Sequence, residues 1–101
     1  MADAPLAPEE IADLLAALPG WTVEEGRLTR AYRAASHRAA AALVAHVAVI
    51  QDELDHHGDL TLSYDTVRLS VHTHSAGGAL TARDFALARR VADIAPAHLP
   101  H

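Results

Sequence analysis

From Ser36 to Gly58 the apolar residues keep a single period: Ala40, Leu43, Val44, Val47, Ile50 and Leu54 recur at the i, i+3, i+4, i+7 spacing that lines one face of a helix. Ser36 offers a side-chain oxygen to the free N–H groups at the start, the alanine run favours helix by propensity, and Gly58 marks the expected end. So long a helix with one apolar stripe needs a surface to cover, and the chain on either side of it supplies strands.

Upstream, Pro8 with Glu9 and Glu10 opens a first helix, since proline tolerates the first turn and acids suit the positive end of the helix dipole. Ile11, Leu14, Leu15 and Leu18 form its stripe, and Pro19-Gly20 stops it. Trp21 to Glu24 and Leu28 to Ala34 then read as a hairpin turning at Glu25-Gly26. Downstream, Leu60, Leu62 and Tyr64 alternate with Thr61 and Ser63, and after a turn at Asp65-Thr66, Val67, Leu69 and Val71 alternate with Arg68, Ser70 and His72. A loop at Ala76-Gly77-Gly78 leads to a third helix, capped by Thr81 with Asp84 three residues on and striped by Phe85, Leu87, Ala88, Val91 and Ile94. Helix, hairpin, helix, hairpin, helix implies an α+β fold: a four-stranded antiparallel sheet with three helices packed on one face. At 101 residues, 1–101 reads as one domain, with 1–7 and 96–101 as loose termini.

Charge and composition narrow the function. A net charge of -5, with every basic residue an arginine and no cluster beyond Arg89-Arg90, argues against nucleic acid or a membrane surface as partner, because both require a cationic face. The absence of cysteine removes disulfides, thiolate nucleophiles and thiolate-bound zinc, in keeping with a cytoplasmic setting. The acidic, proline-bearing start lacks a signal-peptide pattern, and no segment has the roughly 20 apolar residues that cross a bilayer. Eight histidines remain, several of them close together.

The constellation with chemical potential is Asp52, His56, His57, His72, His74 and Asp84. Asp52 and His56 are four apart on the long helix, a spacing that lets the carboxylate orient the imidazole and favour its protonated form. His57 follows at the helix terminus, turned away from its neighbour. His72 and His74 share one side of a strand because side-chain direction has period two. A pocket between strand end and helix end would put His56 and His74 on opposite sides of a small ligand, one giving a proton and the other taking one. Blander roles compete: a histidine at a helix C-terminus suits the dipole, and Asp84 fits an ordinary capping box. His37, His46, His98 and His101 read as surface or tail residues, and Arg83, Arg89 and Arg90 as a solvated helix face. A metal is not expected, since no HExxH helix is present and adjacent histidines point apart; the serines sit in no nucleophile pattern.

The run DELDHHGDLTLSYDTVRLSVHTHSAGGALTARDFALA resembles the pterin-4a-carbinolamine dehydratases, whose signature is an acid, three residues, His-His, a small residue or proline, a later aromatic, a histidine at the end of the next strand and an aspartate opening the last helix. Those positions here are Asp52, His56, His57, Gly58, Tyr64, His74 and Asp84. LPGW, the LTRAYR strand and the VAHVAVIQDE helix are also similar to the family's elements. The chain departs from the pattern in having Gly58 where proline is usual, Ala34 and His37 in place of the aromatic positions after Tyr32, and a loop one residue longer through Ala79.

The resemblance implies a hydro-lyase converting 4a-hydroxytetrahydrobiopterin to quinonoid dihydropterin and water during recycling of the tetrahydropterin cofactor. It implies His56 and His74 as the acid/base pair with Asp52 tuning His56, His57 and Asp84 on the substrate side, no cofactor, and a pterin as the partner molecule. A homodimer or homotetramer is also implied, consistent with an open sheet edge. The alternative on the same fold is a catalytically silent binding or assembly factor; retention of His56, His57 and His74 speaks for the enzyme.

Overall fold

The computed structural model describes residues 3–100; Met1, Ala2 and His101, part of the expected loose termini and tail, lie outside them. The first helix, α1, covers Pro8–Ala16, with proline in its first turn and the Glu10 carboxylate accepting the Ala7 N–H at 3.0 Å. The strands β1 (Thr22–Glu24) and β2 (Arg27–Arg33) follow, joined through Glu25 and Gly26, both at positive φ. Two such residues make the turn whose twist matches a hairpin. The helix α2 covers His37–Leu54, and Ser36 accepts the Ala39 N–H as expected of a cap. Next come β3 (Asp59–Ser63) and β4 (Thr66–Val71), and α3 covers Ala82–Ile94.

The four strands form an antiparallel sheet in the order β1-β2-β4-β3. The register pairs Leu28 with Val71, Tyr32 with Val67 and Leu60 with Leu69, so one face of the sheet is apolar. That face joins Leu43, Val47 and Ile50 of α2 and Phe85, Leu87 and Val91 of α3 in one core, with Ile11, Leu14 and Leu15 of α1 packed at its margin. The opposite face is polar: Thr29 and Arg68 both reach the Glu24 carboxylate, at 2.7 and 2.8 Å, and Arg27 pairs with Asp59 at 3.0 Å. No helix among the described residues is long and apolar enough to cross a membrane.

Three local expectations need correction, and the last two bear on the site. The second hairpin turns at Tyr64-Asp65, with Tyr64 at φ 51°, because Ser63 and Thr66 are already a cross-strand pair. The fourth strand stops at Val71, and His74 opens a short 3-10 turn, His74–Ala76, instead of ending a strand. The long helix is ended by Asp55, not Gly58. Asp55 adopts the left-handed conformation while its N–H reaches Asp52 O and the His56 N–H reaches Gln51 O at 3.0 Å, the two bonds of a Schellman cap. Gly58 serves packing instead, since a Cβ there would run into the Val71 side chain.

Candidate active site

The Schellman cap decides where the paired histidines go. Beyond Asp55 the chain no longer follows the helix, so the expected i, i+4 pairing of Asp52 with His56 does not form. His56 instead turns inward, 6% exposed, and places Nε2 2.6 Å from Oδ1 of the fully buried Asp84 on α3. His57 turns outward and back along α2, where its Nε2 meets the Asp52 carboxylate at 2.8 Å. Asp52 therefore serves His57 and not the expected His56, whose carboxylate partner is Asp84.

Asp84 does two jobs with two oxygens. Oδ2 accepts the Thr81 N–H at 2.9 Å, closing the capping box anticipated at the start of α3, and the Thr73 hydroxyl at 2.7 Å. Oδ1 is left for His56. The loop before α3 is closed beside this aspartate, since the Ala79 carbonyl accepts the Thr73 N–H at 3.1 Å and the Gly78 N–H returns to Thr73 O at 3.0 Å. Gly77 and Gly78, both at positive φ, let the loop close on itself this tightly.

A pocket of about 310 Å³ opens between the end of α2, the end of β4 and the first turn of α3. Asp55, His56, His57, His72, Thr73, His74, Ser75 and Arg83 line it, so four histidines and one guanidinium face a cavity of small-ligand size. His74 is exposed at the mouth. A larger groove of about 490 Å³ between the end of α1 and α3 is lined by Leu18, Leu54, alanines and surface charges, and its lining offers no histidine for proton transfer. Among the described residues no group of three or more histidine, cysteine or carboxylate side chains is arranged to hold a metal ion. His37 and the pair His46–His98, whose ring nitrogens lie 2.9 Å apart, sit away from the pocket.

Four residues of the pocket lining, Asp55, Thr73, Ser75 and Arg83, lay outside the constellation expected from sequence. Arg83 was expected on a solvated face, but its guanidinium donates to the Asp55 carbonyl at 2.6 Å, neutralising the C-terminal end of α2, and reaches Asp3 at 3.3 Å. A signal existed: an arginine in the first turn of a helix opposes the dipole there and invites a partner elsewhere. Thr73 carried only the signal of alternation, standing between His72 and His74 and so facing inward.

Comparison with known proteins extends the likeness across the chain. The family model described as pterin 4 alpha carbinolamine dehydratase matches residues 4–94. A Streptomyces coelicolor protein provisionally named pterin-4-alpha-carbinolamine dehydratase is 63% identical over 97 residues, covering 96% of each chain. A similarly named Chloroflexus aurantiacus protein is 44% identical over 89 residues, covering 88% of this chain and 95% of its own. Among solved structures, a Brucella melitensis protein described as a transcriptional coactivator/pterin dehydratase superposes with a TM-score of 0.84 at 31% identity, over 91% of this chain and 99% of its own.

Proposed function

The chain belongs to the pterin 4 alpha carbinolamine dehydratase family, and from that premise we propose that it dehydrates a 4a-hydroxytetrahydropterin with its own histidines as acid and base. The C4a–O bond breaks as the hydroxyl takes up a proton and leaves as water; N5 gives up its proton, and the C4a–N5 double bond of the quinonoid dihydropterin forms. The reaction is redox-neutral, and two imidazoles on opposite sides of the ring system handle both protons. His56 and His74 are that pair. His56 is fixed from behind by Asp84, whereas His74, exposed at the mouth, exchanges its proton with water between turnovers.

His57 orients the pterin, and Asp52 holds His57 for that task. Asp84 acts through His56, as a positioning carboxylate and not as a direct substrate ligand. The observation that carries the reading is the gathering of His56, His57, His72 and His74 around one pocket of about 310 Å³. General acid/base catalysis of this kind contributes about 10²- to 10⁴-fold. Self-association belongs to the same reading, as β3 is an edge strand that leaves one side of its backbone unpaired.

The test is spectroscopic. With the 4a-carbinolamine generated in situ, wild type accelerates the appearance of quinonoid dihydropterin, while His56→Ala and His74→Ala fall toward the uncatalysed rate. Wild type running at the uncatalysed rate removes the dehydratase assignment. It would favour the binding or assembly role to which the coactivator half of the Brucella melitensis description points.

A further inference from the structure

We propose that Thr73 is a positioning residue that holds the Asp84 carboxylate in place, so that Oδ1 fixes the tautomer of His56 and the ring offers Nδ1 to the pocket. The hydrogen-bond directions in this buried cluster follow from counting protons. The Thr73 and Thr81 hydroxyl oxygens lie 2.7 Å apart, and Thr73 Oγ1 is also 2.7 Å from Asp84 Oδ2. A carboxylate only accepts, so the single Thr73 proton goes to Asp84. Thr81 must then donate to Thr73, and its own oxygen accepts the Arg83 N–H at 3.2 Å. The chain therefore runs in one direction, from the Arg83 N–H through Thr81 and Thr73 to Oδ2.

With Oδ2 filled by Thr73 and by the Thr81 N–H at 2.9 Å, Oδ1 has one neighbour within reach, His56 Nε2 at 2.6 Å, and that nitrogen supplies the proton. Among the described residues Nδ1 of His56 has no protein hydrogen-bond partner, while His56 lines the pocket. The ring nitrogen available to a ligand is Nδ1. Thr73 suits the task because its backbone is held independently, donating to Ala79 O and accepting from Gly78 N and Ala76 N at 3.0 to 3.1 Å. Its hydroxyl thus has a fixed address, and Thr73, Thr81 and Asp84 are each no more than 1% exposed. Water has little access to substitute for a lost bond.

The kinetic part rests on the dehydratase reading; the tautomer part does not. Long-range ¹H–¹⁵N spectra of histidine-labelled full-length protein report which ring nitrogen carries the proton, with or without catalysis. In wild type with a neutral His56 ring, the expected signature is a protonated Nε2 and a bare Nδ1; the opposite tautomer overturns the proposal directly. Thr73→Val, which keeps the shape and removes the donor, should let the Asp84 carboxylate turn from His56, weaken the preference for the Nε2–H tautomer and lower kcat about 10-fold with KM little changed, the scale of one hydrogen bond to a charged group. Thr73→Ser should restore the wild-type ring signature and most of kcat. A folded Thr73→Val protein with the wild-type tautomer and kcat removes the positioning role. If Thr73→Val does not fold, Thr73→Ala takes its place with the same expected outcomes, and the wild-type spectrum alone decides the tautomer. If wild type shows no dehydratase activity yet His56 carries its proton on Nε2, the function assignment fails while the tautomer assignment stands.

Discussion

Two histidine–carboxylate pairs stand side by side at the end of α2, and they differ in almost everything but composition. His56–Asp84 joins elements 28 residues apart, is short, and is closed to water, with side chains 6% and 0% exposed. His57–Asp52 spans five residues and lies in the open, with side chains 56% and 79% exposed. The first fixes a ring in a low-dielectric setting where each lost partner is costly; the second is a screened surface contact that its residues can leave and remake. A site that must hold one imidazole rigid and let another adapt to a ligand has both kinds at neighbouring positions.

The comparison breaks most visibly at Asp84. Asp84→Ala should lower unfolding stability by about 3–5 kcal/mol in urea titration, because it strands a buried imidazole, the Thr73 hydroxyl and the Thr81 N–H together. An unchanged urea midpoint would mean that the buried pair is no more costly to break than the open one. Gly58 lies just beyond the two histidines, and Gly58→Ala should cost about 1–3 kcal/mol by driving a methyl group into Val71. A neutral outcome would show that the close approach of this turn to β4 relaxes freely.

Asp52→Asn probes the open pair. Its stability effect should stay under about 1 kcal/mol and fade with added salt, so thermal unfolding at low and high ionic strength separates it from the buried pair. The smallest effect belongs to Glu24 on the polar face of the sheet. The Thr29 hydroxyl, then Arg68, hold its carboxyl below the ordinary range. Its contribution is therefore complete above that range and lost as pH falls through the lowered folded-state value. Glu24→Gln should lower stability slightly at neutral pH and flatten the acid limb, so that variant and wild type converge at low pH; a difference confined to low pH contradicts that sign.

Much of the fold was legible because its signals are local. The stripe of α2, the alternation of Val67, Leu69 and Val71 in β4 and the Thr81–Asp84 cap each depend on residues within a few positions of one another, and each formed where the pattern indicated; in β3 only Leu60 of the expected alternation packs on the core. The errors came where a local rule had a competitor. Helical spacing made Asp52 the natural partner of His56, but a left-handed Asp55 ended the helix one residue earlier and turned the ring away. No sequence rule marks Asp55 as that residue, since left-handed geometry is commoner in glycine and Gly58 stood close by.

By itself the sequence determined the order of elements, the apolar face each would bury, and a set of histidines and aspartates bound to meet near one end of the sheet. Periodicity and capping chemistry fix those things over short stretches of chain. Only the tertiary structure decided which carboxylate serves which histidine, that Thr73 and Arg83 belong to the pocket, and that Gly58 is there for the close approach of Val71. Partnership across 28 residues depends on how α3 lies against the end of α2, and that geometry is set by the shared core rather than by any spacing along the chain.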